Sequence, residues 1–124
     1  MFSLQNLYDY TCYRDLLKKI IELRKTEERP IAMKDLAKAI RVQPPYVSKV
    51  FKQKAHFSPD QLYLIKAFLD IPQDLFKYLE LLLSFETSSL KARQDELKEE
   101  IKNIQTQKLE PSLARHTIEN GQAC

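Results

Sequence analysis

Among 124 residues there is one glycine, Gly121. Glycine is the residue that takes left-handed backbone angles without steric cost. A chain this poor in it has few positions for the two-residue turns of β-hairpins. It also cannot build the Gly-rich loops that cradle phosphates in the common nucleotide-binding motifs. No alternating apolar pattern of useful length occurs, whereas apolar residues recur at three- and four-residue spacing over most of the chain. The expected class is all-α. Charged residues make up 30% and apolar residues 44%, which fits neither a disordered nor a membrane-embedded chain. No run of about 18 apolar residues is present. The start, MFSLQNLYDY, lacks the basic and apolar regions of a secretion signal. A cytoplasmic location, with no membrane partner, is therefore expected.

Five helices and an extension are legible. The first runs from about Tyr10 to Lys25, with Leu16, Leu17, Ile20, Ile21 and Leu23 as its apolar face, and TEERP ends it. The second covers Met33 to Ile40 with the stripe Met33, Leu36, Ala37 and Ile40; its N-cap, Ala32, has no side-chain acceptor. A turn, Arg41-Val42-Gln43, leads to a third helix from Pro44 to about Lys52. Its paired prolines mark a start, since the first N–H groups of a helix have no intrahelical partner. The fourth opens on Ser58-Pro59-Asp60-Gln61, a capping box with Pro at the first position, and carries Leu62, Ile65, Phe68 and Leu69. After Ile71-Pro72 a fifth carries Leu75, Phe76, Leu79, Leu82, Leu83 and Phe85.

Beyond Glu86 the pattern changes. Leu83, Leu90, Leu97 and Ile104 are spaced by seven, and Ile101 is the one apolar member of the companion row Thr87, Gln94, Ile101, Lys108. This reads as an extended helix, a candidate coiled coil, pairing two copies through Leu83, Leu90, Leu97, Ile101 and Ile104. Its alternative use is to fold back on the domain. Residues 1–86 thus form one domain, 87–110 a helical extension and 111–124 a loose tail.

Charge is uneven. Residues 31–56 hold six cations (Lys34, Lys38, Arg41, Lys49, Lys52, Lys54) and one anion (Asp35), whereas residues 87–124 hold six of each sign. A basic concentration of this kind attracts phosphate backbones. At 100° per residue, Val47, Val50 and Phe51 share the inward side of the third helix. Pro45, Ser48, Lys49 and Lys52 lie opposite, with Tyr46 at the flank. Lys49 can reach guanine or a phosphate, Ser48 can donate or accept, and Pro45 can offer only apolar contact, such as to a thymine methyl.

The run DLAKAIRVQPPYVSKVFKQK followed by FSPDQLYLIKAFLDI resembles the Cro and lambda-repressor-like helix–turn–helix domains over roughly residues 31–71. A wider stretch, from LYDYTCYRDLL to LELLLSFE, looks like a bacterial group of paralogous transcription-regulator-like proteins. The resemblance implies a five-helix DNA-binding domain acting on double-stranded DNA, as a homodimer, in the bacterial cytoplasm. Carried over, base-contacting positions fall on Gln43, Pro44, Pro45 and Lys49, and phosphate-contacting positions on Met33–Lys34, Lys52, Gln53, Lys54 and His56. Arg41 stands where the family's turn usually has glycine, so that turn holds a non-glycine residue in a less favourable conformation. Two prolines replace hydrogen-bonding readers, so few direct base contacts are expected.

The alternative is a helix–turn–helix scaffold that binds protein and not DNA, in its sharp form through an apolar patch of Pro45, Tyr46 and Phe57. Nothing points to an enzyme, a cofactor or a small-molecule ligand. His56 and His116 are far apart, Cys12 and Cys124 have no metal spacing, and Glu96, Glu99 and Glu100 sit on a solvated helix pattern.

Overall fold

The computed structural model describes residues 6–25 and 31–108, and every regular element among them is helical. A short 3-10 helix, Asn6–Asp9, precedes α1 (Tyr13–Arg24), α2 (Met33–Ala39), α3 (Pro44–Phe51), α4 (Pro59–Leu69), α5 (Gln73–Thr87) and α6 (Lys91–Lys108). The expected break at 26–30 and the tail at 111–124 lie outside the described residues.

The start of α4 follows its sequence signature. Ser58 Oγ accepts from the Gln61 N–H at 3.1 Å, and Gln61 Oε1 accepts from the Ser58 N–H at 2.9 Å. Each partner satisfies an N–H that the helix leaves orphaned. At α2, Ala32 has no side-chain oxygen, and only half of this exchange forms: the Asp35 carboxylate accepts from the Ala32 N–H at 3.2 Å.

Three helix ends need a left-handed residue, and none is glycine. Arg41 (φ 65°), Gln53 (φ 65°) and Asp70 (φ 54°) follow α2, α3 and α4. Behind each, an N–H reaches back five residues: Val42 to Ala37 O (3.0 Å), Lys54 to Lys49 O (2.9 Å) and Ile71 to Lys66 O (3.0 Å). These bonds satisfy terminal carbonyls and turn the chain sharply. A side chain in this region costs about 1 kcal/mol. Arg41→Gly is therefore expected to raise unfolding stability by about 0.5–1 kcal/mol, the gain reduced by the extra freedom glycine brings to the unfolded chain. Urea denaturation measures it; a loss would mean that Arg41 makes compensating contacts.

One hydrophobic cluster joins all six α-helices. Leu16, Leu17 and Ile20 of α1, Leu36 of α2, Val47 and Val50 of α3, Leu62 and Ile65 of α4, and Leu75 and Leu79 of α5 are fully buried in it. Leu23, Met33 and Phe68, read from the sequence as core, stay substantially exposed. Leu23 and Met33 sit near a helix end, and Phe68 falls on the outer side of α4.

The C-terminal region departs furthest from expectation. The seven-residue spacing does not run along one helix: α5 stops at Thr87, Ser88 is extended, and Ser88 Oγ accepts from the Leu90 N–H at 3.2 Å before α6 begins. The partners then run antiparallel. Gln94 Nε2 donates to Phe85 O (3.2 Å), Gln105 Nε2 to the Tyr78 hydroxyl (3.2 Å), and Lys108 Nζ to Asp74 Oδ2 (3.3 Å). As the α6 residue number rises, its α5 partner falls. α5 and α6 are thus a helical hairpin. The dimerisation assignment is corrected accordingly. Leu83, Leu97 and Ile101 are buried in the chain's own core, Ile104 is half-buried against it, and only Leu90 (65% exposed) is open. The fold-back alternative is the one observed, and α6 belongs to the same core as α1–α5.

Candidate functional site

α3 presents two sides with different fates. Val47 and Val50 are fully buried, while Gln43, Pro44, Pro45, Lys49 and Lys52 are exposed and Ser48 is half-exposed. Phe51, expected inside with the valines, is half-buried. Its ring meets Phe57 edge-on at 5.9 Å between centroids, and Lys18 Nζ lies 5.8 Å from its centre. Tyr46 is half-buried, its hydroxyl donating to the His56 carbonyl, and Phe57 is buried. The apolar patch of Pro45, Tyr46 and Phe57 therefore does not form, because two of its three members are taken up by the fold.

The basic residues around α3 remain in solvent. Lys34, Lys38, Arg41, Lys52, Gln53 and Lys54 are all exposed. Among the described residues, ion pairs join Arg14 to Glu86, Lys19 to Glu22, Lys91 to Asp95 and Lys108 to Asp74; none includes a cation of α2, α3 or the turns after them. Asp35, the one anion between residues 31 and 56, has its carboxylate on the Ala32 N–H. The main contacts of α6 are with α5 and the 3-10 helix. The surface around α3 carries uncompensated positive charge, which concentrates polyanions from solution.

What aims α3 was not visible in the sequence. Arg14 sits on α1 among leucines and is 3% exposed. Its Nε donates to Val50 O at 2.6 Å, at the C-terminal end of α3. Its Nη2 donates to Ala55 O at 2.8 Å and lies 3.1 Å from His56 Nδ1. Its Nη1 pairs with Glu86 of α5 at 3.6 Å, too long for a hydrogen bond. A single guanidinium thus ties α1 and α5 to the end of α3 and to the turn after it. A cation at a helix C-terminus also complements the helix dipole. Only the combination of an arginine with an apolar stripe on both sides could have drawn attention to it.

His56, carried over as a phosphate contact, is half committed to the interior. Nδ1 faces both the Tyr13 hydroxyl (2.8 Å) and Arg14 Nη2 (3.1 Å), two groups that donate to it. The residue is exposed overall, so it is the Nδ1 edge that is desolvated, leaving Nε2 for an outside partner. Burial, then the neighbouring Arg14 charge, lower its pKa below the ordinary 6.5, with Glu86 opposing. Burial likewise pushes the Tyr13 hydroxyl up to about 12, which keeps it a donor. A histidine whose folded pKa is depressed binds fewer protons than in the unfolded chain. Its contribution to stability is complete above the unfolded value of 6.5 and is lost as pH falls below that value toward the folded one. Melting temperature is expected to drop between pH 7.5 and 5.5. The drop should shrink in His56→Asn, whose amide oxygen can replace Nδ1 as acceptor without titrating. Equal drops in both proteins would remove His56 as the cause.

Among the described residues, no group of three or more His, Cys, Asp or Glu side chains is placed to hold a metal ion, and no helix is long and apolar enough to cross a membrane. Comparison with family models, with curated proteins and with solved structures finds no match.

Proposed function

We propose that the chain is a transcriptional regulator that binds double-stranded DNA, with α2 and α3 acting as a helix–turn–helix of the Cro and lambda-repressor-like kind and α3 entering the major groove. The observation that carries this is the α3 surface: its valines are locked inside, and its lysines stand in solvent without ion pairs among the described residues. Gln43, Pro45, Ser48 and Lys49 face the bases. Lys34, Lys52, Gln53 and Lys54 grip phosphates, and His56 adds a neutral donor through Nε2. Two copies about one helical turn apart on the duplex would supply the affinity that one short helix lacks. Their contact uses surface other than Leu83, Leu97 and Ile101.

The test is a fluorescence-anisotropy titration on mixed-sequence duplex DNA at low salt. Binding in the micromolar range or tighter is expected, and Lys49→Ala with Lys52→Ala should abolish it while the far-UV CD spectrum stays unchanged. No binding by the unaltered chain ends this proposal.

One observation favours the scaffold reading instead. A groove of about 450 Å³ between α5 and α6 is lined by Lys77, Glu80, Leu81, Ser84, Glu100 and Ile104. A protein partner held there with equal affinity by the Lys49/Lys52 variant, in a chain that ignores DNA, would establish that role.

A further inference from the structure

The front of α3 is unusual in what it lacks. Pro44 and Pro45 have no N–H, and the next one, on Tyr46, is bonded to Gln43 O at 3.0 Å. The leading turn therefore offers no backbone donor to a phosphate or to a base acceptor. Of its side chains, Tyr46 is turned back onto the His56 carbonyl and Val47 is buried. What remains facing outward ahead of Ser48 is two rigid pyrrolidine rings and Gln43, whose amide caps nothing. If this turn enters the major groove, its central contact is apolar. The major-groove base edges carry one apolar feature, the C5-methyl group of thymine. Cytosine methylated at C5 displays the same group.

We propose that Pro44 and Pro45 recognise pyrimidine C5-methyl groups, with Gln43 free to bond the N6 and N7 edge of an adjacent adenine. The inference rests on the DNA-binding proposal and adds the chemistry that is read. The proline rings are pre-ordered, so packing a methyl group against them loses no side-chain rotamer freedom. The lysines that flank them grip phosphates whatever the sequence, which leaves discrimination to this apolar front.

Affinity is to be measured on an alternating A–T duplex and on the same duplex with deoxyuridine in place of thymidine. A second pair of duplexes, alternating G–C with cytosine or 5-methylcytosine, separates the methyl group from A·T groove shape. The methylated member of each pair is expected to bind tighter, by about fourfold for each methyl buried. The variant Pro44→Ser with Pro45→Ser should lower affinity for the methylated member of each pair to about that of its unmethylated partner, which brings both ratios close to one. Equal affinity within both pairs, with binding intact, overturns methyl reading and leaves the regulator proposal standing. Absence of binding to all four duplexes ends both.

Discussion

Replacing Arg14 with methionine is expected to cost about 3–5 kcal/mol of unfolding stability, the range for removing one partner of a buried charged pair. Methionine keeps the apolar stem of Arg14 but not its guanidinium, so the space that buried group vacates adds to the cost. Val50 O retains the Gln53 N–H at 3.0 Å, and His56 Nδ1 retains the Tyr13 hydroxyl. The Ala55 carbonyl loses its Arg14 donor. Glu86, whose side chain is 16% exposed, loses its cation and is left a largely desolvated carboxylate. Because the ion pair lacks a hydrogen bond, Glu86→Gln is expected to cost less than Arg14→Met. Arg14→Lys should fall between them, since an ammonium cannot span two carbonyls and an imidazole as the guanidinium does. Urea titrations followed by CD give all three values. A cost for Arg14→Met under about 1 kcal/mol would show that α3 is held by its valines alone. Against a total stability of typically 5–15 kcal/mol, the expected loss leaves a marginal fold. DNA binding should weaken with it, because the same side chain aims the end of α3.

The second large effect concerns α6. Ile101→Ala should destabilise the chain by about 2–5 kcal/mol, as emptying a closed site does, since Ile101 is fully buried. The consequence reaches beyond one residue. α6 is otherwise well solvated, with only Leu97, Ile101 and Gln105 buried along its length. Gln105 closes a polar cluster there: its Nε2 donates to Tyr8 O at 3.1 Å and to the Tyr78 hydroxyl at 3.2 Å, while that hydroxyl donates to Tyr10 O at 2.5 Å. Burial raises the pKa of Tyr78 and carries that of Tyr8 up to about 12, so both hydroxyls stay protonated at neutral pH. Loosening α6 exposes this cluster and the α5 leucines beneath it. A chain cut after residue 88 should then be poorly folded, and not the stable monomeric domain that a separable extension would leave. The melting temperature of Ile101→Ala should not depend on protein concentration, because the packing is internal. A variant that keeps its stability but halves its mass in light scattering would instead restore the pairing role of α6.

The parts of the fold written in neighbouring residues were legible. Ser58, Pro59 and Gln61 lie within one turn and specify the start of α4 by themselves. Val47 and Val50 point inward because three residues of helix return a side chain to nearly the same face. That Arg41 would take a less favourable backbone conformation was expected only from the resemblance, in which glycine usually stands at that turn; its φ is 65°. What could not be read depends on partners distant in sequence. Arg14 looks like any cation on an amphipathic helix until Val50, Ala55 and Glu86 are brought around it. Tyr78 and Gln105 look like surface residues until they meet each other. The spacing of Leu83, Leu90, Leu97 and Ile104 fits a continuous heptad equally well as two antiparallel segments, and Ser88 decides between them. For the candidate site, the identity of the lysines was plain, but their freedom from ion pairs among the described residues required coordinates.

The outward side of α3 is where the functional account stands or falls, and its salt dependence is the direct probe. Binding of the unaltered chain to duplex DNA should weaken linearly on a log–log plot, with a slope of about −2.7 per bound copy if Lys34, Lys52 and Lys54 each neutralise one phosphate, or about 40-fold between 50 and 200 mM salt. An affinity that does not change with salt, or no measurable affinity at the lowest salt, would contradict it.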